Sequence, residues 1–376
     1  MLDRVHLSLL IGPTIPLPAP APVTEALLSA QVTISSDQRS GFQLVFAMSR
    51  TSVLSNVLHP AGLFDPNVRV ILIATVNAIP FVLMDGLIIR QEMAASNELG
   101  HSTLTVTGED LSLAMSLNQV KGRLMPALSE NLRVMLILAP YLRYGIVPLV
   151  IPPPIPDMPT PTEQIPMQNV TDLDYIQQLA KKVGYVFYIQ PGPAPGMNIA
   201  YFGPEIRVGI PQPALNVGMD AATNVESLNF SLDGSSREQL AIEIQEPITK
   251  LGIPIPLPDI SPLSPPLALR QAPALRYKFL EGTAKLNPAQ AMSRALGQAS
   301  KSADAVTGSG QLDVLRYGNV LQARQLVGVR GAGVAYDGLY FVKSVTHNMN
   351  LRSGEFKQSF TLARNGLISL TPLVVA

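Results

Sequence analysis

The chain has 376 residues, with 27 Lys+Arg against 27 Asp+Glu, so no net field draws it to nucleic acid or to an acidic partner. Charged residues are only 14%, against about 25% in an average soluble domain, which predicts that much of the surface is covered by other protein. With no Cys and no Trp, a disulfide scaffold, thiolate catalysis and any Cys-based metal site are excluded.

Mean hydropathy is +0.25, yet no run reads as a transmembrane helix. Val70 to Met84 contains Asn77 and Pro80 and stops at Asp85, and Leu132 to Ile151 carries Arg133, Arg143, Pro140 and Pro148. Met1 to Ile11 holds Asp3, Arg4 and His6 and leads into prolines, not a small-residue cleavage site, so no signal peptide is read.

The first of three proline clusters spans residues 13–22. After it, Ala30 to Ile34 and Gly41 to Ala47 read as strands about the Ser35-Ser36-Asp37 turn. Arg69 to Thr75 and Ile79 to Met84 form a hairpin candidate, followed by Gly86 to Met93 and by Ser102 to Thr107, whose apolar and polar residues alternate. Thr107-Gly-Glu-Asp110 reads as a capping box opening a helix over Leu111 to Leu117, and Ser129 as the cap of Glu130 to Leu138. The second proline cluster, 148–166, precedes Thr171-Asp-Leu-Asp174, a further box for a helix that closes at Lys181, Lys182 and Gly184.

Tyr185 to Ile189 and Met197 to Phe202 read as a hairpin, and Val225 to Leu232 as a strand. The third proline cluster, 247–273, leads to a fourth helix beginning at Asn287-Pro288 and running to about Ala303. Val320 to Val329, Gly338 to Asn348 and Glu355 to Arg364 complete a β-rich end, with Phe356, Gln358, Phe360 and Leu362 on one face. The clusters hold five, eight and eight of the 34 prolines, interleaved with Ile, Leu, Val and Ala. Such segments either pack as loops on their own domain or lie as extended strands against another surface.

Asp85-Gly86 with Gly100, and Asp337-Gly338 with Gly354, echo one another and raise two possibilities, a chance recurrence of a common turn dipeptide or two copies of one β-unit. Catalytic signatures are missing: there is no zinc-protease helix, Gly-x-Ser-x-Gly elbow or phosphate-loop lysine. Gly331-Ala-Gly333 reads as a strand-to-strand loop. His6, His59, His101 and His347 have no ligand spacing and read as solvated or hydrogen-bonded surface residues. Glu109 and Asp110, superficially an acid–base pair, are explained by complementing a helix dipole. No catalytic, cofactor-binding or metal residue is assigned.

Three ordered blocks carry a resemblance: Val82-Leu-Met-Asp-Gly86 through Thr103-Leu-Thr-Val-Thr-Gly-Glu-Asp-Leu-Ser112, then Thr171-Asp-Leu-Asp-Tyr-Ile-Gln-Gln-Leu-Ala-Lys-Lys-Val-Gly-Tyr185, then Tyr336-Asp-Gly-Leu-Tyr-Phe-Val-Lys-Ser-Val-Thr-His347 with Phe360-Thr-Leu-Ala-Arg-Asn-Gly366. Together they resemble the baseplate hub proteins of contractile phage tails and injection systems, the family of phage late-control protein D and the VgrG N-terminal hub. The resemblance implies a mainly β chain with an α+β insertion: two tube-like antiparallel β-barrel domains and a small helix-containing domain.

The expected organisation is an N-terminal arm over 1–24, a first barrel over 25–125, a helical and α+β middle region over 126–235, and a proline-rich segment with a second barrel over 236–376. The implied role is a structural, non-enzymatic hub: a homotrimer joining a hexameric tail tube to a trimeric spike around a central channel. Its implied partners are a separate VgrG-like spike chain, a tube initiator or tube protein, and baseplate wedge proteins. Neither nucleic-acid specificity nor a membrane span is expected. Such a protein assembles in the cytoplasm and then forms part of a virion tail or phage-tail-like particle. The alternatives are a particle-associated cell-wall hydrolase and a stand-alone β-rich binding module.

Overall fold

The computed structural model describes residues 5–96, 102–154, 156, 165–234, 238–245, 252–256, 264–273, 276–279 and 304–371. The first part of the chain holds β1 (Val5–Gly12), β2 (Leu17–Pro18), α1 (Ala21–Ala26), β3 (Leu27–Ser35), β4 (Gly41–Met48), β5 (Arg69–Val76), β6 (Ile79–Ala94) and β7 (Ser102–Asp110). A mixed stretch follows, with α2 (Leu113–Ser116), β8 (Arg123–Leu124), α3 (Glu130–Leu138), β9 (Ile146–Val150), β10 (Met167–Gln168), α4 (Asp172–Val183), β11 (Val186–Pro191) and β12 (Asn198–Gly203). The last part contributes β13 (Gln212–Asn216), β14 (Ser227–Leu232), β15 (Glu238–Gln245), β16 (Gly252–Pro256), β17 (Ala268–Gln271) and β18 (Arg276–Phe279). It ends with β19 (Val306–Asp313), α5 (Val314–Tyr317), β20 (Leu326–Arg330), β21 (Gly338–Asn350), β22 (Glu355–Arg364) and β23 (Gly366–Ser369).

The chain is mainly β, and most of its strands join one 13-stranded sheet. Within that sheet the order β3-β4-β7-β6-β5 is followed by a second run, β14-β19-β22-β21-β20, of the same connectivity. Every pairing within both runs is antiparallel. The agreement extends to single residues. A bulge between Ile88 and Arg90 offsets β6 against β7, and one between Val342 and Ser344 offsets β21 against β22. The amides of Asn67 and Arg324, both in the left-handed region at φ 72 and 65, donate to the carbonyls of Ile88 and Val342 at those bulges.

Packing between the copies is complementary in size. Phe42 on β4 lies opposite Gly108 on β7, whereas at the matching place Gly308 on β19 lies opposite Leu362 on β22. A large and a small residue have exchanged strands. The repeat anticipated from the Asp-Gly dipeptides is therefore present in the topology, but those dipeptides are not equivalent. Tyr340 pairs as Gly86 does, since Val327↔Tyr340 adjoins Leu326↔Phe341 as Val70↔Gly86 adjoins Arg69↔Leu87.

The two runs meet where Ser344–Asn350 of β21 pairs with Ser35–Ser29 of β3. One face of this junction carries Ala30, Val32, Val345 and Met349, all buried. The other is polar, with Gln31 donating to Asn348 at 2.9 Å and Thr33 meeting Thr346 at 3.1 Å. A single apolar core spans both runs, including Leu44, Phe46, Leu72, Leu104, Tyr340, Val342 and Phe360. No closed barrel forms among the described residues.

A second core lies in the middle stretch, where α3 and α4 pack Val134, Ile137, Ile176 and Leu179 with Phe202 of β12. Thr171 caps α4 by accepting from the Asp174 amide at 3.1 Å, and Gly184 ends it at φ 74, as the sequence requires. Ser129 precedes α3 in an extended conformation but makes no side-chain cap.

Several expectations need correction. Thr107-Gly-Glu-Asp110 opens no helix, because β7 continues through Asp110 and only a four-residue helix follows. The cross-strand bonds of β4 and β6 claim the backbone first. Strand β6 is continuous through Asp85-Gly86, where the sequence pattern predicts a break between two strands. Residues 320–325 are not strand, so β20 starts only at Leu326. Within 1–24, β1 pairs along all of Val5–Gly12 with β5 and so belongs to the sheet. The helix read at 287–303, Gly100 and His101 lie outside the described residues.

Candidate functional site

Among the described residues no group of three His, Cys, Asp or Glu side chains could hold a metal ion. The charged residues that are buried instead fasten elements to one another. Asp85, read only as the end of an apolar run, is 2% exposed and accepts from Arg69 Nε and Nη2, each at 2.7 Å. Asn198 Nδ2 donates to the same carboxylate at 2.7 Å, and Arg69 also donates to the carbonyls of Thr14 and Tyr144. One ion pair thus ties the first run of the sheet to the middle core.

A second network joins Arg207, Glu205, Asp304 and Lys343. Arg207 reaches Asp304 through two nitrogens at 2.5 and 2.9 Å and Glu205 through Nε at 2.8 Å, while Lys343 lies 3.3 Å from Asp304. Burial alone would raise the Asp304 pKa, but Arg207 and then Lys343 outweigh it and hold the carboxyl below its usual range. Lys343 is the extra residue at the β21 bulge, which aims it at this network.

The acid–base candidates do not converge on a reacting centre. Glu109 pairs with Arg39 at 3.0 Å on the surface. Asp110 accepts from the amides of Ser40 and Ser112 at 3.1 and 2.9 Å, and burial raises its pKa against these bonds. His59 meets Gln91 at 2.9 Å and His6 lies exposed on β1. His347 departs most from expectation. It is a buried residue inside β21, 1% exposed, bonded to Gln358 at 2.9 Å, and burial lowers its pKa to about 3.

What remains accessible is apolar surface and sheet edge. A cleft of about 640 Å³ runs between the sheet and the middle region, lined by Phe81, Tyr188, Val208, Ile210 and Arg324 among others. The Arg324 guanidinium is already stacked 4.0 Å over Tyr188 and donates to the Ser35 carbonyl at 2.5 Å, so this wall is structural. Among the edges of the sheet with no strand partner in the described residues are the outer edge of β14 and the edge of β6 beyond Ile88, where β5 has ended. Ile89, Met93 and Leu232 are exposed there, at 41, 58 and 44%.

The described part of the chain thus combines buried ion pairs, two strand runs of one connectivity and sheet edges with no strand partner among the described residues. Its fold is that of tail and secretion-system structural proteins. The tail protein of Neisseria meningitidis MC58 superposes with a TM-score of 0.63 at 13% identity, over 97% of this chain and 98% of that one. The 43 kDa tail protein of prophage MuSo2 from Shewanella oneidensis gives 0.62 at 11% identity, over 96% and 98%. An E. coli component of the type VI secretion system gives 0.54 at 11% identity, over 93% and 77%. No protein-family model matches the sequence, and no curated protein does.

Proposed function

We propose that the chain is the structural hub of a contractile tail or injection-system baseplate, a trimeric adaptor between a hexameric tube and a trimeric spike around a central channel. The observation that carries this reading is the repeat: two strand runs of one connectivity in one polypeptide, fused through β3 and β21 into one sheet. Three such chains present six nearly equivalent units toward a sixfold tube and keep threefold symmetry toward a spike. Low charge accords with a subunit surrounded by a spike chain, tube or tube-initiator subunits and baseplate wedge proteins. The role is non-enzymatic and resides in its interfaces. The protein assembles in the cytoplasm and ends in a tail particle.

Light scattering on the purified chain, with class averages viewed end-on, tests the proposal. The expected species has three times the 40.3 kDa chain mass and shows a ring of six lobes. A compact particle of another symmetry refutes it.

A further inference from the structure

The junction inside the chain is a template for a junction between chains. At the inner seam, the edge of β21 left free by the end of β20 is filled by β3, the first strand of the other run. By the strand correspondence, β6 is the counterpart of β21, and β14 is the counterpart of β3. Both counterparts are open: the β6 edge beyond Ile88 and the outer edge of β14 have no strand partner among the described residues.

The bulges and ladders fix the register. Thr107 pairs with Arg90 just past one bulge, and Thr361 with Ser344 just past the other, so Arg90 corresponds to Ser344. Thr107 leads through Gln43 to Gln31, and Thr361 through Ser309 to Asn229, so Asn229 corresponds to Gln31. Gln31 faces Asn348 at the inner seam. The outer seam therefore sets Asn229 against Ala94, Phe230 against Met93, Ser231 against Glu92, and Asp233 against Arg90.

One pair on each face fits the pattern of the inner seam. Met93 lies beside buried Leu104 on the core face, and Phe230 packs against the same core. An exposed methionine would thus meet an aromatic ring in the place where His347 meets Val32 inside the chain. On the polar face Ser231 would stand opposite Glu92, as Thr33 stands opposite Thr346 inside the chain.

We infer that the β6 edge over Arg90–Ala94 of one copy pairs antiparallel with the β14 edge over Asn229–Asp233 of the next copy, in this register. This inference rests on the trimeric reading above and locates its seam. The contact is head-to-tail, so it propagates around a ring and covers these two edges.

Cysteine cross-linking tests it cleanly, because the chain has no cysteine of its own. Facing residues of an antiparallel pair have Cα atoms about 4.5–5.5 Å apart, within disulfide range. The variant with Ser231→Cys and Glu92→Cys is expected to form a covalent trimer on a non-reducing gel. The variant with Asn229→Cys and Arg90→Cys is displaced by four residues, about 13 Å along the strand, and is expected to remain uncross-linked. Thr33→Cys with Thr346→Cys, the same place at the inner seam, should close within one chain and calibrates the oxidation. Cross-linking that stops at dimers, or equal cross-linking of the displaced pair, overturns the seam. A trimer by light scattering without cross-linking of the first variant overturns the seam while leaving the trimeric hub standing. A monomer at every concentration, with the inner control oxidised, overturns both.

Discussion

Acid should unfold this protein through one histidine in particular. His347 sits in β21 between Val32 of β3 and Gln358 of β22, 1% exposed. Gln358 Nε2 donates to the Leu321 carbonyl and lies 2.9 Å from His347 Nδ1, so Nδ1 is the acceptor and the ring is neutral. Burial carries its pKa from 6.5 down to about 3. Between those values the unfolded chain binds a proton that the folded chain refuses, so stability falls as pH falls through that window. At pH 5 the histidine lies about 1.5 units below its unfolded pKa, which at about 1.36 kcal/mol per unit costs about 2 kcal/mol relative to neutral pH. Urea unfolding followed by far-ultraviolet circular dichroism at pH 7 and pH 5 measures the loss, and His347→Gln should lose about 2 kcal/mol less. An equal pH dependence in the two proteins would refute the assignment.

Asp85→Ala leaves Arg69 buried without its carboxylate and should cost about 3–5 kcal/mol, read as a lower urea midpoint and as earlier proteolysis of the middle region. Asp304 titrates in a lower window: its stabilisation is present above the unfolded carboxylate value and is lost as pH falls through its depressed folded pKa. Asp304→Asn should therefore weaken the protein at pH 7 and reduce its sensitivity below about pH 4. Gly108→Ala would set a Cβ 2.3 Å from the Leu87 carbonyl oxygen and 2.4 Å from the Phe42 ring. A loss of about 1–3 kcal/mol is expected from that overpacking, and an unchanged melting temperature would contradict it. Thr171→Ala removes the acceptor of the Asp174 amide and should cost about 1 kcal/mol, measured the same way.

Strands with one wet face were legible because their pattern is local. In β22, Phe356, Gln358, Phe360 and Leu362 alternate with exposed or half-buried neighbours, and all four are buried as the pattern requires. The caps of α4 were equally local. What escaped the sequence is what depends on distant partners. Asp85 looked like a terminator because an unpaired carboxylate ends an apolar strand, and nothing nearby announces that Arg69 and Asn198 converge on it. Arg207 and Asp304 are 97 residues apart. His347, with no ligand spacing to mark it, reads as a surface residue, yet it lies on the core face of β21 while Thr346 and Asn348 point to the opposite one. The candidate interface was half legible. The recurrence of a β-unit was visible, but the dipeptides that signalled it were not the equivalent positions, and the open edges needed the ladder to be drawn.

The β3–β21 junction also sets an order of events at the ribosome. Gln31 meets Asn348 across 317 residues, so at about 5–20 residues per second β3 waits roughly 15–60 s for its neighbour to be synthesised. During that interval its outer edge is a strand template in a crowded solution. The short turn at Ser35-Ser36-Asp37 can close the β3–β4 hairpin early, but it cannot shield that edge. A fragment ending before Gly338 should therefore aggregate during translation, and supplying the β21–β22 hairpin in trans should keep it soluble. For a chain of this design, the later-synthesised β21–β22 hairpin acts as the chaperone of β3.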